Sequence, residues 1–303
     1  MTNLVLPTET DVRAAARRIA PYVRRTPVLR AEVDGRELVL KLEHLQRTGS
    51  FKLRGAVNAL LAGPPPKRVV TVSGGNHGLA VATAAGLLGL PATVYAPANM
   101  PESKARRIVE AGADVVRFAH IAEAFAEAER VAADDPDTRY LHPFAAPEVI
   151  AGQGTVTEEI VADVPEVDSI VVAVGGGGLA AGAVLAAGGR RVVAVEPEGC
   201  RCLHDALAAG APVESAIDSV AASALGANRT NEVNFAILNT DSVSSVLVTD
   251  AELLAARDLL WTRLRLAVEP AAGVPLAAWL AGRVPGDLAC LVLCGANTDW
   301  QPV

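Results

Sequence analysis

Apolar positions along the chain fall into two patterns. Short unbroken runs alternate with longer stretches in which apolar residues recur every third or fourth position, the marks of buried strands and of helices. Glu37–Leu42 predicts a strand and Phe51–Leu61 a helix, with Ser50 placed to cap it. Gly63-Pro64-Pro65-Pro66-Lys67 then interrupts the pattern and marks a boundary. Beyond it the chain predicts strands at Arg68–Val72, Ala92–Ala96 and Asp114–Phe118, alternating with helices at Gly78–Leu88, Glu102–Ala111 and Ala122–Ala133. Gly112 closes the second of these helices. Further on, helices are expected at Thr155–Ala162, Leu179–Ala187 and near Ala251–Leu264, with strands at Ser169–Val174, Arg191–Glu196 and Ala289–Cys294.

Strands separated by helices imply parallel βαβ units, hence an α/β fold with doubly wound open sheets. The stretch 68–145 reads as a small lobe inserted into a larger one built from 1–67 and 146–303. Ligands in such folds bind at the carboxyl ends of strands, so chemistry is sought in the turns that follow them.

Composition narrows the class. With 51% hydrophobic and 20% charged residues over 303 positions, a disordered chain is excluded. The net charge of −7 and the lack of a basic run argue against nucleic acid as a partner. Mean hydropathy is +0.31, and the uncharged run Ser169–Gly189 is long enough for a membrane span. Gly175-Gly176-Gly177-Gly178 in its middle disfavours a helix there, so strand, turn and helix are expected, with no membrane partner. Met1–Arg13 holds no apolar core behind a basic start, as a secretory signal would. A reducing cytoplasm is therefore expected around Cys200, Cys202, Cys290 and Cys294, whose spacings match neither a zinc ribbon nor a redox CxxC. As residues alone they read as small buried apolar groups.

Four segments stand out. Thr48-Gly49-Ser50-Phe51-Lys52-Leu53-Arg54-Gly55-Ala56 puts a lysine in the first turn of a helix, where the dipole disfavours the ammonium form that a nucleophilic lysine must shed. Ser73-Gly74-Gly75-Asn76-His77-Gly78 joins a strand to a helix whose free N–H groups can meet a carboxylate. Gly175-Gly176-Gly177-Gly178-Leu179-Ala180 is a backbone cradle for phosphate. It also satisfies G-x-G-x-x-A with Glu196 closing the next strand, so the pattern alone permits a dinucleotide and an NAD-dependent oxidoreductase. Leu293-Cys294-Gly295-Ala296-Asn297-Thr298-Asp299 ends the last strand.

Together these segments resemble the fold-type II pyridoxal-phosphate-dependent enzymes, tryptophan synthase β-like in fold, and within them the serine/threonine dehydratase and serine racemase branch. Lys41-Leu42-Glu43 through Ala56 is similar to the family's cofactor-lysine segment, residues 73–78 to its asparagine loop and 175–179 to its phosphate loop. Ala151-Gly152-Gln153-Gly154-Thr155 and Glu269-Pro270-Ala271-Ala272-Gly273 match further family segments, so the resemblance spans nearly the whole chain.

The resemblance implies pyridoxal 5'-phosphate bound covalently to Lys52, with Phe51 against the ring and Asn76 on its phenolic oxygen. Gly175, Gly176, Gly177, Gly178 and Leu179 would hold the phosphate, and Cys294 would face the ring nitrogen as a neutral partner. Ser73, Asn76 and His77 would grip the substrate carboxylate. The activity implied is β-elimination from L-threonine or L-serine to a 2-oxo acid and ammonia, with Lys52 as the catalytic base and a homodimer as the assembly. Racemisation, dehydration of 3-hydroxyaspartate or phenylserine, and a catalytically silent amino-acid sensor are the alternatives weighed.

Two departures matter. Racemases resembling this chain carry a second serine where Gly74 stands, so racemisation should be weak. Many relatives bind a divalent cation through positions matching Glu196, Cys200 and Cys202, but Cys202 replaces an aspartate and hard cations want oxygen, so no metal is expected. Dehydratases regulated by an end product resemble this chain plus a further C-terminal domain, which implies catalysis without isoleucine feedback here.

Overall fold

The computed structural model of the chain, described for residues 4–301, begins with helix α1 (Glu9–Ile19), held by a Thr8–Asp11 capping box. Met1–Asn3, part of the stretch read for a targeting signal, and Pro302–Val303 lie outside the described residues. Strands β1 (Val28–Val33) and β2 (Arg36–Lys41) form an antiparallel hairpin. Its turn, Asp34-Gly35, has φ of 50° and 73°, the left-handed pair that a tight hairpin with native twist requires. A 3₁₀ turn (Glu43–Leu45) leads to α2 (Lys52–Leu61).

A regular alternation follows: β3 (Arg68–Val72), α3 (Asn76–Leu87), β4 (Ala92–Pro97), α4 (Glu102–Glu110), β5 (Asp114–Phe118), α5 (Ile121–Asp134) and β6 (Thr138–Leu141). The chain continues through α6 (Pro147–Asp163), β7 (Ser169–Ala173), α7 (Gly178–Ala186), β8 (Arg191–Pro197), α8 (Cys202–Ala209), α9 (Ala222–Leu225) and α10 (Glu232–Leu238). It ends with β9 (Val243–Val248), α11 (Asp250–Leu264), α12 (Pro270–Leu280) and β10 (Ala289–Val292).

The strands make two sheets, both doubly wound and open. The four-stranded sheet runs β5-β4-β3-β6, all parallel. The six-stranded sheet runs β1-β2-β10-β7-β8-β9, parallel except for the β1 edge. Strand order reverses between β3 and β6 in one sheet and between β7 and β10 in the other. Connections leave these neighbours in opposite directions, which opens a crevice at their carboxyl ends. All five residues of β7 are buried, as a central parallel strand covered on both faces must be.

The hydrophobic core under the small sheet takes Ile19 from α1 and Leu53, Ala56 and Val57 from α2. Helix α2 thus packs on one sheet while its start meets the other, through a bridge between Ser50 and Gly295. The uncharged run 169–189 resolves as strand, turn and helix, and among the described residues no helix is long and apolar enough to cross a membrane. Helix α6 starts eight residues before the expected Thr155, because Gly152 and Gly154 dilute its apolar pattern while Pro147 supplies a favourable first turn.

Candidate active site

Lys52 is the first residue of α2. The expected Ser50 cap is not formed: Phe51 is the N-cap residue, and the buried Ser50 hydroxyl has no hydrogen-bond partner among the described residues. Ser50 is instead drawn into the bridge with Gly295, too far back along the chain to reach the helix amides. Lys52 Nζ donates to the carbonyl of Pro143 at 2.9 Å and pairs with no carboxylate among the described residues. Burial pulls its ammonium down to about 8, although Cys294 and Glu269 oppose the shift. An amine poised there is partly neutral at neutral pH, the form a nucleophile or base needs.

Two residues on, Arg54 anchors this turn. Its guanidinium grips Glu43 through Nε at 2.9 Å and Nη2 at 2.7 Å, and reaches Glu159 at 2.8 Å. Lys41 joins the same cluster through Glu159 at 2.6 Å. Burial alone would raise the Glu43 carboxyl, but Arg54 and the Thr26 hydroxyl hold it below the usual range. Four buried charges balanced this way fix the backbone on which Lys52 is mounted.

The asparagine segment closes β3. Helix α3 begins at Asn76, two residues earlier than expected, so Asn76 and His77 occupy its first turn and their amides have no intrahelical acceptor. The Ser73 hydroxyl accepts from Gly75 N at 3.1 Å and shapes the turn. Asn76 Nδ2 donates to Glu269 at 2.8 Å, and its Oδ1 accepts from Asn297 Nδ2 at 2.7 Å. His77 Nε2 faces the Leu141 carbonyl at 3.2 Å and so carries the ring proton. Burial, aided by Lys52, depresses His77 to about 3 and keeps it neutral. What this corner offers a carboxylate is therefore helix amides, a hydroxyl and a neutral imidazole, with Lys104 bordering the same cavity.

The glycine loop joins β7 to α7. Gly177 sits at φ 95°, a left-handed conformation that favours glycine, and a Cβ on Gly176 would come within 2.4 Å of the Phe144 ring. The loop carbonyls are taken up on one side: Asn234 Nδ2 reaches Gly176 O at 2.7 Å, Thr230 reaches it at 3.2 Å, and the Cys202 thiol donates to Gly175 O at 3.3 Å. With the carbonyls so engaged, the amides of the loop and of the α7 start remain for an anion.

These segments line one cavity of about 660 Å³. Phe51, Lys52, Ser73, Asn76, His77, Gly175 to Leu179 and Cys294 all border it. Cys294 follows β10 at the other side of the switch point, and burial keeps its thiol protonated. Glu269 also lines the cavity, and burial pushes its carboxyl up to about 7 against the Asn76 hydrogen bond. Glu269, Asn297, Thr230 and Asn234 carry structural duties in this site that no sequence expectation named. Glu269 and Asn297 fall within segments that the sequence singles out, 269–273 and 293–299, whereas Thr230 and Asn234 had no such signal.

Glu196 lies outside this set. Its two carboxylate oxygens accept the Leu203 and His204 amides at the start of α8, both at 2.8 Å. It is therefore not free for the ribose that a dinucleotide would present. Among the described residues no group of three or more His, Cys, Asp or Glu is placed to hold a metal.

The chain is similar over most of its length to known proteins. Residues 19–295 match the family model described as pyridoxal-phosphate dependent enzyme. The chain is 36% identical to serine racemase of Bos taurus, covering 95% of this chain and 92% of that one. It is 33% identical to the L-threo-3-hydroxyaspartate ammonia-lyase of Saccharomyces cerevisiae, covering 98% and 95%. The crystal structure of a threonine deaminase from T.th. superposes with a TM-score of 0.90 at 38% identity, covering 98% of this chain and all of that one. Pyridoxal phosphate, not a dinucleotide, is thus the cofactor on which the chain depends. The residues fit it: an anion cradle without side chains, a buried amine without a counter-ion, and the unpaired Ser50 hydroxyl beside Gly295.

Proposed function

Because the chain belongs to the pyridoxal-phosphate-dependent enzyme family, we propose that it eliminates the β-hydroxyl of L-threonine and L-serine, yielding a 2-oxo acid and ammonia. The observation that carries this is Lys52: a cavity-facing amine, held near neutrality, opposite a glycine loop with free amides.

When bound, the cofactor supplies an electron sink for negative charge developing at the substrate α-carbon. Lys52 would hold it covalently, the 175–179 amides its phosphate, and Phe51 one face of its ring. Cys294, kept a neutral thiol, is the proposed partner of the ring nitrogen, and Asn76 of the phenolic oxygen. The Ser73 hydroxyl and the first amides of α3 would orient the substrate carboxylate, with Asn76 locked by Glu269 and Asn297 behind them. Lys52 Nζ would remove the α-proton and return a proton to the departing hydroxyl, which leaves as water. Hydrolysis of the resulting enamine in water then gives the 2-oxo acid and ammonia.

Gly74 supports elimination over racemisation. It lines the cavity in the turn between β3 and α3, and it presents no side chain that could deliver a proton to the second face. Closure of the 68–145 lobe over the substrate, and a homodimer, belong to the same proposal. A coupled 2-oxo acid assay with L-threonine and L-serine, run beside chiral analysis of the remaining amino acid, tests it. Prompt 2-oxo acid formation with unchanged chirality is expected; racemised substrate without 2-oxo acid would overturn it. Sedimentation of the holoenzyme reads the assembly.

A further inference from the structure

Three large apolar residues border the cavity mouth without a part in the reaction above. Ile121 and Phe125 lie one turn apart on the same face of α5, which packs beside the four-stranded sheet. Ile217 comes from the segment between α8 and α9. Ile121 is 45% exposed and Ile217 47% exposed, unusual for isoleucines facing a polar site. Phe125 and Ile217 each have a built position: Phe125 packs toward the His142 ring at 6.2 Å between centroids, and a Cβ on Gly226 would meet Ile217 Cγ2 at 3.2 Å. Pro97 and Met100 continue the wall.

Among the described residues neither α5 nor the 210–221 segment contributes a cation to the cavity lining. The basic side chains bordering the cavity are Lys52, Lys104 and His77, with His142 packed behind Phe125. Lys104 also borders a small recess with Gly75, Asn76, Leu79, Arg107 and Asn297, which includes no residue of α5 or of the 210–221 segment. It borders both this cavity and the helix start assigned to the α-carboxylate, and within the present proposal it serves the latter. Burial holds His142 down at about 4, so it adds no charge.

We propose that Ile121, Phe125 and Ile217 form the specificity pocket for the substituent on the substrate β-carbon, and that this chain prefers β-hydroxy amino acids carrying an alkyl or aryl group there over those carrying a carboxylate. This deepens the elimination proposed above and rests on it. An alkyl or aryl group covers isoleucine surface that is otherwise wet. A carboxylate in the same place would lose water without gaining a counter-ion from the three residues that form the pocket. A single methyl group in an apolar pocket is worth about 10-fold or more in kcat/KM.

The test uses the holoenzyme with L-serine, L-threonine, L-threo-phenylserine and L-threo-3-hydroxyaspartate. Threonine and phenylserine are expected to exceed serine by about 10-fold, and 3-hydroxyaspartate to be the poorest. Phe125→Arg and, on the exposed segment, Ile217→Lys should each raise the 3-hydroxyaspartate to threonine ratio by about 10-fold or more. Cofactor absorbance and circular dichroism confirm that each variant is folded and loaded. A wild-type preference for 3-hydroxyaspartate overturns the assignment, and so does an unchanged ratio in both variants. Binding separates this from the elimination itself: L-2-aminobutyrate and L-aspartate, which lack the leaving group, are titrated against the cofactor absorbance. Tighter aminobutyrate binding supports the apolar mouth even if no 2-oxo acid forms, in which case the elimination alone has failed. Tighter aspartate binding overturns the mouth whatever the turnover.

Discussion

Lys41 and Lys52 are both carried into the interior within one short stretch of chain, and they meet opposite surroundings. Lys41 Nζ is fully covered, bonded to the Thr26 carbonyl and to Glu159, each at 2.6 Å. Lys52 Nζ has one carbonyl at 2.9 Å, no carboxylate among the described residues, and a cavity in front of it. Burial with a partner makes a lysine part of the scaffold, because its charge is neutralised in place. Burial without one leaves an amine that sheds its proton easily and can attack, which is what a cofactor anchor requires.

The largest expected contrast is in activity. Lys52→Ala should lose the cofactor's absorbance and 2-oxo acid production by on the order of 10³-fold or more, while circular dichroism is unchanged. A coloured, active variant would remove Lys52 from the centre of the site. Next comes stability. Arg54→Met strands Glu43 in the interior, leaving Glu159 to Lys41, and should cost about 3–5 kcal/mol in urea unfolding of the apoenzyme. Lys41→Met leaves Glu159 still paired with Arg54, so a smaller loss of about 1–3 kcal/mol is expected. Equal losses would mean that the cluster does not act through Arg54.

A subtler difference lies in pH. Lys52 falls from its usual 10.5 to about 8 on folding, so between those values the unfolded chain binds more protons than the folded one. Apoenzyme stability from this group therefore rises with pH across that window, and the cost of its buried charge is fully felt below 8. Lys52→Met should be more stable than wild type at pH 7, by about 1–2 kcal/mol since cavity water screens the ammonium, with the gap closing toward pH 10. A constant gap in thermal unfolding would contradict the shift. The smallest expected effect concerns Gly74→Ser, where the new Cβ would lie 3.3 Å from Pro97 Cδ. A stability loss of about 1 kcal/mol and slow racemisation, seen by chiral chromatography, should accompany retained elimination.

Much of the fold was legible because it is locally encoded. The β3–α5 alternation follows from apolar runs, and Gly112 (φ 93°) marks the end of α4 as expected. The segments that escaped notice lack such a pattern. Helix α1 is rich in arginine, and β1 is an edge strand whose residues are half-exposed. Helix α12 carries Gly273 and Pro275 in its interior, where packing against α11 and the large sheet makes a helix the best choice. The site divides along the same line. Lys52, Asn76, residues 175–179 and Cys294 follow strands or open helices, so their neighbourhood could be read from spacing and family resemblance.

The chain's own pattern therefore determined the elements, the carboxyl-end turns and the residue types that carry chemistry. Tertiary structure alone decided that Lys41 is paired, because its carboxylate partner Glu159 lies 118 residues away. It also decided that Asn234 and Thr230 turn the glycine carbonyls aside, and that Ile121 and Ile217 border one cavity. The physical reason is common to all three: a side chain's charge state and a backbone's orientation are set by what lies within a few ångströms, and strand order, not sequence distance, sets that.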